Sequence, residues 1–236
     1  MLKSFFTQKT HPSREEVNVS RRKFLGYAGA AAGIAVVVSS CNKDELPMTT
    51  NNTNVNEVNL GSGDVGVLNY AYALEQLEAA FYIRVVMSQY SGITGMEATR
   101  LMEVRDHEIA HREFFKKALG ANAIGQLEFD FSSIDFGSRN SVLATAKAFE
   151  DVGVSAYNGA GRLLMNPDYL VLAGKIVSVE ARHAAYFRDL ISFGSFADET
   201  AVNAMGLDLT RKPSEVLPIV DPYIVTTINA DQLPTY

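Results

Sequence analysis

Glutamate, histidine and tyrosine recur in this chain at spacings that could hold metal ions. Glu108-x-x-His111 and Glu180-x-x-His183 each place a carboxylate and an imidazole three residues apart, and a phenylalanine follows each histidine, at Phe115 and Phe187. Upstream of each pair stands a glutamate seven residues before a tyrosine: Glu75 with Tyr82, and Glu150 with Tyr157. The order is a two-part unit that occurs twice. On a helix, residues i and i+3 share one face with Cβ atoms about 5–6 Å apart. Each Glu-x-x-His can therefore reach one ion, and Glu75 and Glu150 can bridge or cap the pair. Glu78 sits about one face-width from Glu75 and is the alternative to it. Glu75 is preferred because its spacing to Tyr82 repeats at Glu150 and Tyr157.

Four carboxylates gathered in an apolar core repel one another and lose their hydration. Unless protonated they need cations, and two divalent ions would make the group neutral. Carboxylate oxygens with one imidazole per ion suit iron or manganese better than copper or a structural zinc. Tyr82 and Tyr157 are at spacings that ordinarily fill a core, and each hydroxyl is also placed to bond a metal-binding carboxylate. They are the candidate catalytic residues, acting through those carboxylates. His107 lies at the flank of its stripe and reads as structural or rim; Met102 and Met165 read as packing.

The elements that must position these residues are helices. Apolar residues recur with 3.6-residue periodicity over about 65–91, 95–119, 139–164 and 167–193. In the first segment Leu68, Ala71, Leu74, Val85 and Val86 share a face opposite Asn69, Gln76 and Arg84. In the third, Val142, Leu143, Ala146 and Leu164 oppose Asp151, Ser155 and Arg162. Asn166-Pro167 supplies a cap and a first-turn proline for the fourth. Four long helices, each with one wide apolar stripe, predict an all-α four-helix bundle over residues 64–194. Short links make the first and second pairs hairpins. The long link from 120 to 138, with Phe129, Phe131 and Phe136, predicts a crossover between helices 2 and 3. Residues 195–236 form a C-terminal extension with a short helix at 213–220, expected to pack on the bundle because Val216, Leu217, Ile219, Tyr223 and Ile224 need cover.

The N-terminal part reads as an address. Arg21-Arg22 precedes an apolar run from Leu25 to Val38, a signal-peptide pattern too short to span a bilayer comfortably. The paired arginines resemble a twin-arginine signal. Val38-Ser39-Ser40-Cys41 resembles a lipobox and contains the sole cysteine of the chain, so lipidation at Cys41 is expected. Residues 41–63, rich in Asn, Thr, Ser and Gly, read as a flexible tether. A single thiol excludes an intramolecular disulfide and a multi-cysteine zinc site. The 236-residue chain has a formal net charge of −6. Residues 1–40 hold six Lys/Arg and two Asp/Glu, leaving 15 basic against 25 acidic side chains in the remainder, net −10. That acidic balance argues against a nucleic-acid partner.

The stretches Leu74-Glu75-Gln76-Leu77-Glu78-Ala79-Ala80-Phe81-Tyr82, Asp106-His107-Glu108-Ile109-Ala110-His111 and Val179-Glu180-Ala181-Arg182-His183-Ala184-Ala185 resemble the ferritin-like superfamily of ferritin, bacterioferritin and rubrerythrin. They are most similar to its branch of desiccation-related ferritin-like proteins. The resemblance covers about residues 65–193. It implies that Glu75, Glu108, His111, Glu150, Glu180 and His183 are the ligands of two iron ions, with manganese the alternative, and that Glu108 and Glu180 bridge them. The motif set is specific for the site and unspecific for the reaction; the leading expectation is oxidation of Fe(II) or reduction of dioxygen or peroxide in envelope stress defence. A dimanganese catalase and a non-enzymatic protective protein stay open as alternatives. No fifth helix of the cage type is recognisable and a lipid tether fits poorly with a soluble shell, so iron storage is not expected. A homodimer is left open. A rubredoxin-like four-cysteine site is missing, and with it a rubrerythrin-style electron supply. The expected location is the bacterial envelope, periplasmic or at the cell surface.

Overall fold

The computed structural model describes residues 56–236. The paired arginines, Cys41 and most of the predicted tether lie outside the described residues. Strand β1 (Glu57–Asn59) leads into helices α1 (Gly63–Met87), α2 (Gly95–Leu119), α3 (Arg139–Gly161) and α4 (Pro167–Ile191). The short helix α5 (Pro213–Val220) and strand β2 (Thr227–Asn229) follow. Among the described residues no helix is long and apolar enough to cross a membrane.

Local chemistry sets the helix starts. Thr94 and Glu97 form a reciprocal capping box on α2, at 3.1 Å in each direction. Asn166 accepts from the N–H of Asp168 at the start of α4, where Pro167 needs no donor of its own. Asp64, in the first turn of α1, accepts from the backbone N–H groups of Met165 and Asn166 at 2.7 and 2.9 Å. That pair of bonds ties the start of α1 to the α3–α4 turn. The helices stop earlier than periodicity suggested, at Met87, Gly161 and Ile191 rather than 91, 164 and 193.

Helix α1 packs along α2 and α3 along α4, giving the two hairpins of an all-α four-helix bundle. A 25-residue helix is about 37 Å long, so a residue near mid-helix sits deep inside. The crossover between α2 and α3 lies over α1. Its Phe131 and Phe136 pack on Phe81, with ring centroids 6.1 and 6.0 Å away. Asn69 and Gln76, which the periodicity set on the polar face of α1, are buried beneath it. Asn69 donates to the carbonyls of Leu60 and Asn122 and accepts from Ile124 N–H. Gln76 accepts from Leu127 N–H and donates to the Gly125 carbonyl. The polar side chains thus satisfy the crossover backbone, which would otherwise be buried without partners.

The C-terminal extension lies on α3. The backbone N–H of Arg211 donates to the Ser155 carbonyl, and the Arg211 guanidinium donates to Ser155 Oγ. Ser155 is consequently buried, against its assignment to a solvent face. Gly159 has no room for a Cβ, which would run into the Arg211 carbonyl. Helix α5 buries Val216 and Val220 but leaves Ile219 43% exposed, so that residue finds no cover among the described residues. Residues 57–59, read as the end of a tether, instead form β1, parallel to β2 in the register Glu57↔Thr227. Leu60 immediately after is fully buried.

Candidate metal centre

Each of the four long helices delivers part of one buried cluster. Glu75 comes from α1, Glu108 and His111 from α2, Glu150 from α3, and Glu180 and His183 from α4. All four carboxylates are 0% exposed. Their atoms gather into two groups, Glu75–Glu108–His111–Glu180 and Glu108–Glu150–Glu180–His183, within each of which one candidate ligand atom per residue lies within 4.8 Å of the others. Glu108 and Glu180 belong to both.

The distances divide those two shared carboxylates evenly. His111 Nδ1 lies 2.8 Å from Glu180 Oε1 and 3.5 Å from both Glu108 Oε2 and Glu75 Oε2. His183 Nδ1 lies 2.9 Å from Glu108 Oε1, 3.3 Å from Glu150 Oε2 and 3.8 Å from Glu180 Oε2. One oxygen of each shared glutamate therefore faces each imidazole. Glu75 and Glu150 each face only one.

The repeat seen in the sequence has a structural meaning. Tyr82 on α1 donates to Glu150 on α3, while Tyr157 on α3 donates to Glu75 on α1. The ring of Tyr82 stacks on Phe187 of α4 at 5.9 Å, and Tyr157 meets Phe115 of α2 at 6.4 Å. Each helical hairpin thus completes the other, and the tyrosines hold one oxygen of each outer carboxylate. The other oxygen stays unpaired.

Those unpaired atoms test whether the residues fit a pair of ions. Glu75 Oε2, both oxygens of Glu108, Glu150 Oε2, both oxygens of Glu180, and the Nδ1 atoms of His111 and His183 are buried without a well-directed hydrogen bond. Buried polar atoms are nearly always partnered, and eight such atoms side by side need a common partner. A small cation between them meets that need; the donor set of oxygens with one nitrogen per position suits a hard or borderline metal.

Without cations, protons do part of the work. Burial raises the Glu75 carboxyl to about 8, against the lowering effect of the His111 ring 3.5 Å away. Burial likewise pushes Glu150 well above the carboxylate range. It also opposes ionisation of Glu180, but the imidazoles of His111 and His183 beside it prevail and hold that carboxyl at about 2. For His111 burial disfavours the charged ring, yet the carboxylates of Glu108, Glu180 and Glu75 around its Nδ1 lift it to about 12. His183 is raised in the same way, with Glu150 its strongest electrostatic partner.

Glu78 is buried one turn from Glu75 but belongs to neither group. Its Oε2 is unpaired, and its Oε1 occupies space that exists because residue 153 is glycine; a Cβ there would sit 2.9 Å from that oxygen. Of the two alternatives on α1, the structure brings Glu75 into the cluster. His107, read as rim, is exposed yet touches the centre: its Nδ1 lies 2.9 Å from His183 Nε2. No spacing in the sequence marks that contact, since it joins α2 to α4.

No curated protein matches the chain. A family model described as a ferritin-like domain matches residues 63–192, more than half of the chain and all four helices that build the cluster. The chain belongs to the ferritin-like domain family.

Proposed function

We propose that the chain is an exported di-iron protein that oxidises Fe(II) or reduces dioxygen or peroxide at the cell envelope. The observation that supports the reading is the set of eight unpaired buried atoms from four carboxylates and two imidazoles, with two of the carboxylates shared. In this reading Glu75, Glu108, His111 and Glu180 would hold one ion, and Glu108, Glu150, Glu180 and His183 would hold the other. Two iron ions bound there would supply the two electrons that convert peroxide, with two protons, to water.

The side chains have distinct tasks. Glu108 and Glu180 keep the positions close together. Tyr82 and Tyr157 orient Glu150 and Glu75, so each presents its free oxygen inward. Phe115 and Phe187 back those tyrosines with apolar rings and keep bulk water from the carboxylates. Arg21-Arg22 for export and Cys41 for lipid attachment complete the reading; both lie outside the described residues.

The test is metal content and stoichiometry of the full chain purified from its native membrane, followed by anaerobic Fe(II) loading. The reading expects two irons per chain and a rapid absorbance change on adding dioxygen or peroxide. Peroxide dismutation with manganese alone would replace it by a dimanganese catalase. Full occupancy with no turnover of either oxidant would leave a metal-stabilised protective protein.

A further inference from the structure

We propose that His107 is a positioning residue that makes the two metal positions unequal, favouring the ion held by His183. The inference rests on the dinuclear reading and on one contact that breaks the symmetry of the cluster. His183 turns Nδ1 toward Glu108 and Glu150 and Nε2 toward His107, at 2.9 Å. The two rings are nearly parallel, 10° apart with centroids at 5.2 Å. That suits a hydrogen bond lying in the ring planes.

The proton inventory allows one arrangement. A neutral imidazole that offers the Nδ1 lone pair to an ion carries its proton on Nε2. His183 therefore donates from Nε2, and His107 accepts at Nδ1 while its own proton sits on Nε2. The acceptor holds the orientation of the His183 ring before an ion arrives, and keeps the remaining proton on Nε2 once Nδ1 is given to the ion. His111 has no counterpart: among the described residues no protein group bonds its Nε2, and its side chain is 13% exposed against 6% for His183.

The asymmetry is written in the sequence repeat. His107 immediately precedes Glu108 in the first Glu-x-x-His, and Val179 immediately precedes Glu180 in the second. An aliphatic side chain cannot accept a hydrogen bond, so the repeat supplies this support on one side only. Outer partners of metal-bound histidines are worth about 10–100-fold in metal affinity.

Anaerobic titration of the full chain with Co(II), followed by calorimetry, tests the proposal. The wild-type chain is expected to fill in two steps of different affinity. His107→Phe keeps a flat ring but removes the acceptor, and should weaken the tighter step about 10–100-fold. His107→Gln offers an amide oxygen and should recover part of that loss. The effect of His107→Phe should persist in a His111→Ala background and vanish in a His183→Ala background. Unchanged binding in His107→Phe, or an equal loss with and without His183, would overturn the proposal while leaving the dinuclear reading in place. A wild-type chain that takes up no Co(II) would remove both.

Discussion

The Tyr82 hydroxyl donates a 2.5 Å hydrogen bond to Oε1 of Glu150, on a helix 68 residues further along the chain. Tyr157 makes the reciprocal bond to Glu75. Neither tyrosine belongs to the same helix as the carboxylate it serves, so the cluster forms only when the two hairpins dock. Folding of the bundle and assembly of the site are one event.

Replacing Tyr82 by Phe keeps the ring against Phe187 but leaves a second oxygen of Glu150 buried and unpaired. An unsatisfied buried acceptor costs about 1–3 kcal/mol. Thermal melts of the metal-free protein should show that loss, with helix content unchanged. A metal titration should show weaker binding at the His183 position and little change at the other. Tyr157→Phe should give the mirror-image result at the His111 position.

The metal-free protein should lose stability as pH rises through neutrality. Glu75 has a folded value near 8, above its unfolded one, so above about pH 4.5 folding takes up a proton, and stability falls until pH passes about 8. His111, raised to about 12, stabilises fully below its unfolded value near 6.5, and that stabilisation drains away as pH climbs toward 12. The two effects overlap between about pH 6.5 and 8. Each proton taken up on folding contributes a slope of about 1.4 kcal/mol per pH unit. Glu180 acts at the other end: held at about 2, its contribution is present above about pH 4.5 and is lost on acidification toward pH 2. Urea denaturation in chelator from pH 5 to 9 should show the neutral-range decline. Saturating metal should flatten it, because ions replace the protons, and binding should release protons into an unbuffered solution. A flat profile in chelator would contradict the charge arrangement described for the cluster.

Gly153 and Glu78 should behave as a coupled pair. Gly153→Ala puts a methyl group 2.9 Å from Glu78 Oε1 and should cost about 1–3 kcal/mol by overpacking. Glu78→Ala in the same chain removes the clash, so the double variant should be more stable than the sum of the single effects allows. Burial drives the Glu78 carboxyl well above its ordinary range. Glu78→Gln should therefore stabilise the metal-free protein at pH 8 and have little effect at pH 4. Chemical denaturation of the four variants at both pH values is the measurement.

What the sequence made legible was whatever repeats along one helix. Glu-x-x-His and Glu-x6-Tyr fix which residues share a face, so the four cluster carboxylates and two histidines could be selected before any fold was known. What it hid depends on coverage from elsewhere in the chain. Asn69 and Gln76 alternate with the apolar stripe as solvent-facing residues do, yet the crossover arrives over them and turns both into interior ligands of backbone groups. Ser155 is hidden in the same way by the segment around Arg211. β1 was missed because Asn and Glu in a short polar stretch favour no strand; its partner β2 lies 170 residues away. His107 illustrates the remaining gap, since periodicity places it on a flank but not beside a ring of another helix.

Replacing His111 and His183 together by glutamine removes the nitrogen from both positions and the imidazolium charge that the carboxylates lean on when no metal is present. Taking away one partner of a buried ion pair costs about 3–5 kcal/mol, so the variant should melt earlier while circular dichroism still reports a helical bundle. Its uptake of Fe(II) or Mn(II) should fall by at least the 10–100-fold that loss of an outer partner produces. The folded state and the metal count are separate readouts, which matters here. A variant that keeps its helices and loses its ions locates binding at the cluster. A variant that keeps both would show that the ions, if any, sit elsewhere, and that the buried carboxylates are balanced by protons alone.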